Sequence, residues 1–350
     1  MFNLKHSMNV PRARLAATLA VAVLLTGCGL FSTKSRVAVA PVLTPLVGAE
    51  MPALFNEINR LAAVRSLRGK IDIQFLDTSF AECGVIDKYR TTEGSIVVQR
   101  PGQIYLAINA PFGIKIAEMS SNGQKFWAAL YQGDQKYQRF VTGTNSAVYE
   151  KLEANGATPD CRGNDRQREA AMQRATVSAL SSLRPQHFSD ALLVLPVTTE
   201  GSNLIYAPAE TFEEEPDTRP NAKRGARVVR GYYVLSELEP LGPNQARVLR
   251  RFWFDRVGAL RLARVQTYNE RGQLFTDVIY GNQRRFGAEG RHQLPSQVEL
   301  TRPQDRYSIR IAFQEPESVE VDRAYEDPEI FVLKNDSKLP EVDLDARGRR

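Results

Sequence analysis

The stretch Leu67-Arg68-Gly69-Lys70-Ile71-Asp72-Ile73-Gln74-Phe75 carries an apolar residue at every second position from Ile71 onward. Side chains along a strand point alternately to opposite faces, so Ile71, Ile73 and Phe75 share one face while Asp72 and Gln74 share the other. Such a segment belongs to a sheet with one wetted face. The same alternation returns at Ile96 and Val98, and again at Ile104, Leu106 and Ile108. Turn dipeptides separate these runs: Pro101-Gly102, Asn122-Gly123 and Gly133-Asp134, then Val257-Gly258 and Arg271-Gly272. Short connections of this kind join antiparallel strands. About six strands are expected between Leu67 and Thr142, and about five or six more between Arg227 and Val319.

Helical sequence flanks the strands. From Glu50 to Leu67 the apolar residues Leu54, Ile58, Leu61 and Val64 recur every three to four positions, which predicts an amphipathic helix. Asn164 can cap a second helix running to Leu183, with Met172, Ala175 and Ala179 on one side and Pro185 stopping it; a short helix over Gln186 to Leu193 follows. The small, Pro-bearing sequence from Gly29 to Val47 reads as a tether, so residues 28–48 are expected to link flexibly to a domain spanning 49–334. Glu213 to Arg224, acidic then Pro-bearing then basic, reads as disordered, as does a charged tail at 335–350.

The N-terminus has a different character. Lys5, Arg12 and Arg14 precede an apolar run from Leu15 to Leu25, too short to span a bilayer. Its end, Leu25-Thr26-Gly27-Cys28, resembles a bacterial lipobox. That resemblance implies removal of residues 1–27 as a signal peptide and attachment of a diacylglycerol to the Cys28 thiol, which then becomes the first residue. Gly29 stands where an Asp would, by the same resemblance, retain the product at the inner membrane. The implied location is the outer membrane, lipid-anchored and facing the periplasm. A second reading stays open, because the uncharged stretch continues to Thr33 and approaches the length of an uncleaved membrane anchor.

The formal charge of +6 drops to about +3 once the three basic residues of the leader are gone. The remaining charge is dispersed, with no basic run that would mark a nucleic-acid partner. Beyond Cys28 the chain has Cys83 and Cys161, both in loop-like sequence. In an oxidising compartment they either pair, closing a loop of roughly 80 residues, or remain free thiols. Catalytic signatures are missing: there is no G-x-S-x-G elbow, Walker loop, C-x-x-C or dinucleotide fingerprint. His187 and His292 lack a partner at metal-binding spacing, and Glu213-Glu214-Glu215 lacks EF-hand spacing. No enzyme activity, metal or cofactor is expected. Trp127 and Trp253 read as core aromatics.

The order of elements is helix, long antiparallel sheet, inserted helices, more sheet. In the C-terminal half, Phe252-Trp253-Phe254-Asp255 precedes a strand from Leu260 to Tyr268, the turn Asn269-Glu270-Arg271-Gly272, a strand from Phe275 to Tyr280, Leu294-Pro295, and a strand from Tyr307 to Phe313. Together with Leu67-Arg68-Gly69-Lys70-Ile71, Ile104-Tyr105-Leu106 and Gly123-Gln124-Lys125-Phe126-Trp127, this succession resembles the LolA/LolB-like superfamily of periplasmic lipoprotein carriers and receptors over about residues 50 to 332. The resemblance implies an α+β fold, mainly β, in which a curved antiparallel half-barrel is capped by helices and encloses an apolar cavity for acyl chains of a lipid or lipoprotein. The chain is longer than the best-known members, with extra sequence around Cys161 and at Glu213 to Arg224.

Strand parity nominates the lining. Ile71, Ile73, Phe75, Ile96, Val98, Leu106, Ile108, Ile114 and Ile116 are assigned to one alternating face, with Phe126, Phe252 and Phe254 added from later strands. The same residues suit an ordinary packed core beneath a helix. The turn Ala110-Pro111-Phe112-Gly113 puts an aromatic at a loop tip; it resembles in position the apolar loop with which LolB-type receptors touch membranes, and a fold-back over the barrel mouth is the other option. Two functions follow from different classes. One is a membrane-anchored lipoprotein that binds a lipid or acylated protein for transport or insertion; the other is a scaffold or sensor whose interior is filled and whose partner is an envelope protein.

Overall fold

The computed structural model describes residues 39–79, 81, 84–132, 138–147, 149 and 183–346. Cys28, Cys83, Cys161 and the expected helix beginning at Asn164 lie outside the described residues.

Strand β1 (Ser66–Asp77) is the hub of the sheet. On one side it pairs with β14 (Tyr307–Phe313), setting Ile71 opposite Phe313, Ile73 opposite Ile311 and Phe75 opposite Ile309. On the other side β3 (Thr92–Gln99) sets Val98 opposite Leu67 and Ile96 opposite Gly69. Because parity is preserved across each pair, the apolar row read from the sequence continues into both neighbours. From β3 a meander runs outward through β4 (Gln103–Asn109), β5 (Lys115–Asn122), β6 (Lys125–Leu130) and β7 (Arg139–Thr144). From β14 a second one runs outward through β13 (His292–Arg302), β12 (Leu274–Phe286), β11 (Arg261–Tyr268), β10 (Gln245–Asp255), β9 (Arg227–Gly242) and β8 (Ile205–Pro216). Short strands β2 (Asp87–Lys88) and β15 (Glu320–Val321) flank β1. β16 (Glu341–Asp343) adds to β7 in parallel. Among the described residues the result is a sheet of 16 strands whose path runs from β16 to β8. Turns fall at Pro101-Gly102, Asn122-Gly123, Val257-Gly258 and Arg271-Gly272, while Gly133-Asp134 lies outside the described residues. Gly123, for example, has φ +94°, and a Cβ there would lie 2.7 Å from the Pro101 carbonyl oxygen, so only glycine fits.

Two helices lie against this sheet among the described residues. Helix α1 (Met51–Ala62) buries Leu54, Ile58 and Leu61, the stripe the sequence predicts. It stops earlier than expected because Ser66 and Leu67 already belong to β1, and Val64 packs in the turn between them. Helix α2 (Pro185–Leu192) buries Phe188 and Ala191. It touches β3, β4 and β5 on one arm and β13 on the other. In a flat sheet β5 and β13 would stand about 24 Å apart, five spacings of roughly 4.8 Å. An eight-residue helix is only about 12 Å long, so the sheet bends around it. Hydrogen bonds fasten the crossing: Tyr280 Oη on β12 donates to the Ala191 carbonyl at 3.0 Å, and Arg100, after β3, donates to the Val194 carbonyl at 2.6 Å. One apolar core joins both helices to the concave strand faces. No described helix is long and apolar enough to cross a membrane.

Three segments are more ordered than the sequence suggests. Glu213 to Arg224, read as disordered, contributes Glu213–Pro216 to β8, which pairs with β9 as far as Pro216 opposite Arg227. Its charges are matched across strands: Arg227 donates to Glu214 at 2.5 Å, Arg230 holds both Glu215 and Asp255, and Tyr232 donates to Glu215 at 3.0 Å. The charged tail also joins the sheet. Phe140 donates to the Pro340 carbonyl and Leu344 to that of Thr142, each at 2.9 Å. Leu344, 2 % exposed, packs on Phe126 and Val141. The expected tether is pinned from Val42, which bridges Val229, while Leu46 bridges Val257. For the tail and the tether the ordering partner is about two hundred residues away; for Glu213–Pro216 it is the next strand of a hairpin, whose register a local period does not reveal.

Candidate functional site

Small residues hollow out the concave face. Across β1 to β7 one row reads Ile71, Gly94, Ile108, Ala117, Leu130, Arg139, and the next reads Gly69, Ile96, Leu106, Met119, Ala128, Val141. Alanine at Ala117, Ala128 and Ala129 leaves volume that the two described helices do not fill. The resulting cavity measures about 510 Å³, and its wall is apolar, with Ile73, Phe75, Ile108, Phe126, Phe188 and Ile309 prominent. Arginines meet it at Arg90, Arg139 and Arg184. The Arg184 guanidinium lies over the rings of Phe126 at 4.9 Å and Tyr149 at 5.4 Å. Burial lowers its pKa, against the pull of Tyr307, Asp305 and Tyr149.

Of the nominated lining residues, Ile73, Phe75, Ile108, Ile116 and Phe126 stand in this wall. Phe252 stands in the wall of a second chamber. Ile71, Ile96, Val98, Leu106 and Phe254 are packed in the core with no solvent-accessible surface. Ile114 sits on the outer loop, 53 % exposed. Strand parity selects a face but not the part of it that a helix covers. Phe188 and Ile309 were missed; the alternation from Tyr307 to Phe313 contains Ile309, whereas nothing in the helical period of α2 distinguishes a cavity wall from a core.

The second chamber, about 760 Å³, is the more polar of the two: charged and hydrogen-bonding side chains stand in its wall among apolar ones such as Val265, Phe275 and Val278. It follows another cross-strand row, in which Glu237, Arg250, Thr267 and Thr276 lie on successive strands β9 to β12 and Arg302 on β13 faces Tyr307 on β14. Arg250 donates to Glu237 at 2.9 and 2.5 Å and to the carbonyls of Leu195 and Pro196. Arg302 donates to Asp305 at 2.9 Å and to Thr276 Oγ1 at 2.8 Å. His187 Nδ1 and the Tyr307 hydroxyl share a hydrogen bond of 2.6 Å. Burial, with Arg302 and Arg184 nearby, drives the His187 pKa well below its ordinary value, so the ring is neutral at pH 7. Asp190 opens onto this chamber, and desolvation by the surrounding walls raises it to about 6, although Gln186, Arg100 and Arg302 favour its charged form. Among the described residues no three His, Cys, Asp or Glu side chains gather as a metal site would require.

Beyond the cavities, Pro111–Gly113 forms a single 3-10 turn that turns Phe112 wholly outward, at 101 % exposure. Phe112 has φ +66°, a left-handed conformation that costs a non-glycine residue about 1–2 kcal/mol.

No protein-family model matches this chain, and no curated protein matches it. Solved structures do. A DUF1329 family protein from Desulfovibrio piger is 12% identical, covers 82% of this chain and 96% of its own, and superposes with a TM-score of 0.38. A LolA superfamily protein from Nitrosomonas europaea is 10% identical over 79% of this chain and 96% of its own, with a TM-score of 0.35. An outer membrane lipoprotein-sorting protein domain from Vibrio parahaemolyticus is 11% identical over 79% and 93%, with a TM-score of 0.31. Among solved structures the chain is therefore similar, at low TM-score, to DUF1329 and LolA-superfamily chains.

Proposed function

We propose that this protein is a non-enzymatic, lipid-anchored lipoprotein of the bacterial outer membrane, facing the periplasm, that holds acyl chains of a lipid or lipoprotein in its apolar cavity and passes them on. The carrying observation is the cavity of about 510 Å³ that the described residues leave between Ile73, Phe75, Ile108, Phe126 and Phe188. It falls within the roughly 300–1,000 Å³ of small-molecule sites. Each methylene buried there gains about 0.8 kcal/mol, and a palmitoyl chain buried whole about 12 kcal/mol before the costs of ordering it. Release then needs an apolar acceptor, which a membrane supplies. Phe112 supports such an encounter, since an exposed aromatic at a loop tip gains free energy only on meeting lipid or a partner. The lipobox-like Leu25-Thr26-Gly27-Cys28 supports the anchor. A scaffold with a filled interior has no use for the open volume.

Native mass spectrometry of gently purified protein tests the reading. A population carrying bound lipid is expected, together with saturable binding of a fluorescent fatty acid. Protein that is free of lipid and shows no saturable binding refutes it.

A further inference from the structure

We infer that the polar chamber beside the acyl cavity is a headgroup site, shaped for the uncharged, hydroxyl-rich headgroup of a glycolipid whose chain occupies the apolar cavity. The inference rests on the acyl-binding reading and adds a ligand class to it. Helix α2 is the partition between the two volumes. Phe188 faces the apolar side, His187 and Asp190 face the polar side, and Arg184 belongs to both walls. An amphiphile lying across Arg184 puts its chain and its headgroup each in matching surroundings.

The chemistry of the wall selects the headgroup. Arg184, Arg250 and Arg302 supply positive charge, but Glu237 and Asp305 already match Arg250 and Arg302 within hydrogen-bond distance, and Asp190 and Asp305 stand in the same wall as Arg184. His187 is neutral at pH 7, and Asp190 adds a carboxyl exposed to the chamber. A phosphate, which only accepts hydrogen bonds at its ionised oxygens, needs a surplus of donors and positive charge. This wall offers donors and acceptors side by side, including Gln186, Asn145 and Thr267. A hydroxyl both donates and accepts, so a row of hydroxyls suits such a wall. Asn145 Oδ1 is covered and has no hydrogen-bond partner among the described residues.

The test uses displacement of a fluorescent fatty acid from the purified protein by three probes of equal chain length, each below its micelle concentration: dodecyl maltoside, dodecanoic acid and dodecanoyl lysophosphatidylglycerol. Dodecyl maltoside is expected to displace at roughly tenfold lower concentration than dodecanoic acid, the worth of one or two net hydrogen bonds. Combining Asp190→Ala with Thr267→Val is expected to erase that advantage and leave dodecanoic acid unchanged, while Asp190→Asn alone retains most of it. The inference is overturned if the lysophosphatidylglycerol binds tightest, if the maltoside has no advantage, or if the double variant weakens all three probes alike. Displacement by the bare acid without any headgroup effect overturns this inference and spares the acyl cavity. Failure of every probe to bind overturns both.

Discussion

Replacing Ala128 by Phe separates an acyl cavity from a packed core by the sign of its effect on stability. Ala128 lies on β6, opposite Met119 on β5 and Val141 on β7, and its methyl group contributes to the wall of the 510 Å³ cavity. A phenyl ring there adds about six carbons to the void and excludes roughly five methylenes of a bound chain, about 4 kcal/mol, or nearly a thousandfold in Kd. Burying the ring in vacant apolar space is expected to stabilise the protein by roughly 1.5–3 kcal/mol. In an already filled interior the same ring forces neighbours off their rotamers and destabilises by about 1–3 kcal/mol. The assays are a fluorescent fatty-acid titration and urea unfolding, with the midpoint compared at unchanged slope. A variant that binds the chain as tightly as the parent, or unfolds more easily, refutes the cavity.

Phe112→Asn leaves the core untouched and suits the left-handed backbone; stability is expected to hold or rise, while co-sedimentation with phospholipid vesicles falls about tenfold or more. Vesicle binding equal to that of the parent removes Phe112 from the membrane contact. Leu344→Ala is expected to lose about 2–5 kcal/mol in urea unfolding, since Leu344 is buried against Phe126 and Val141; a loss below about 0.5 kcal/mol means that the tail does not pack there. His187, held neutral in the fold by burial, Arg302 and Arg184, binds fewer protons than its unfolded counterpart below about pH 6.5. Its contribution to stability is therefore lost as pH falls through that range, and His187→Gln is expected to flatten the acid side of the urea midpoint against pH; an unchanged slope refutes the assignment. Asp190 acts with the opposite sign. Raised to about 6 in the fold, it favours the native state below its unfolded pKa and loses that contribution as pH rises through about 6, so Asp190→Asn is expected to remove a decline between roughly pH 4 and 6. A decline of the same size in the variant refutes that assignment.

Much of the sheet is legible residue by residue. Alternation at Ile71, Ile73 and Phe75 specifies β1, and the Gly-bearing dipeptides at 102, 123, 258 and 272 mark turns between strands. The stripe Leu54, Ile58, Leu61 specifies α1. Where reading failed, a local pattern was answered by a partner on another strand. Glu214 and Glu215 look like a solvated run until Arg227 and Arg230 stand across from them on β9. Leu344 is a single apolar residue in a charged tail until β7 receives it. The site was legible only as a face. Ile73 and Ile96 have the same parity and the same chemistry, yet one walls the cavity and the other lies under packed side chains.

The sequence by itself determined the strands, their parity and the helix stripes, because these depend on spacing along a few neighbouring residues. The tertiary structure decided that the two meanders join through β1, that the sheet bends around α2, and that this helix divides the hollow into an apolar and a polar part. Those outcomes depend on pairings between segments as far apart as Ile71 and Phe313. Whether space remains over a strand face depends on what crosses above it, and that is a property of packing in three dimensions rather than of any local run of residues.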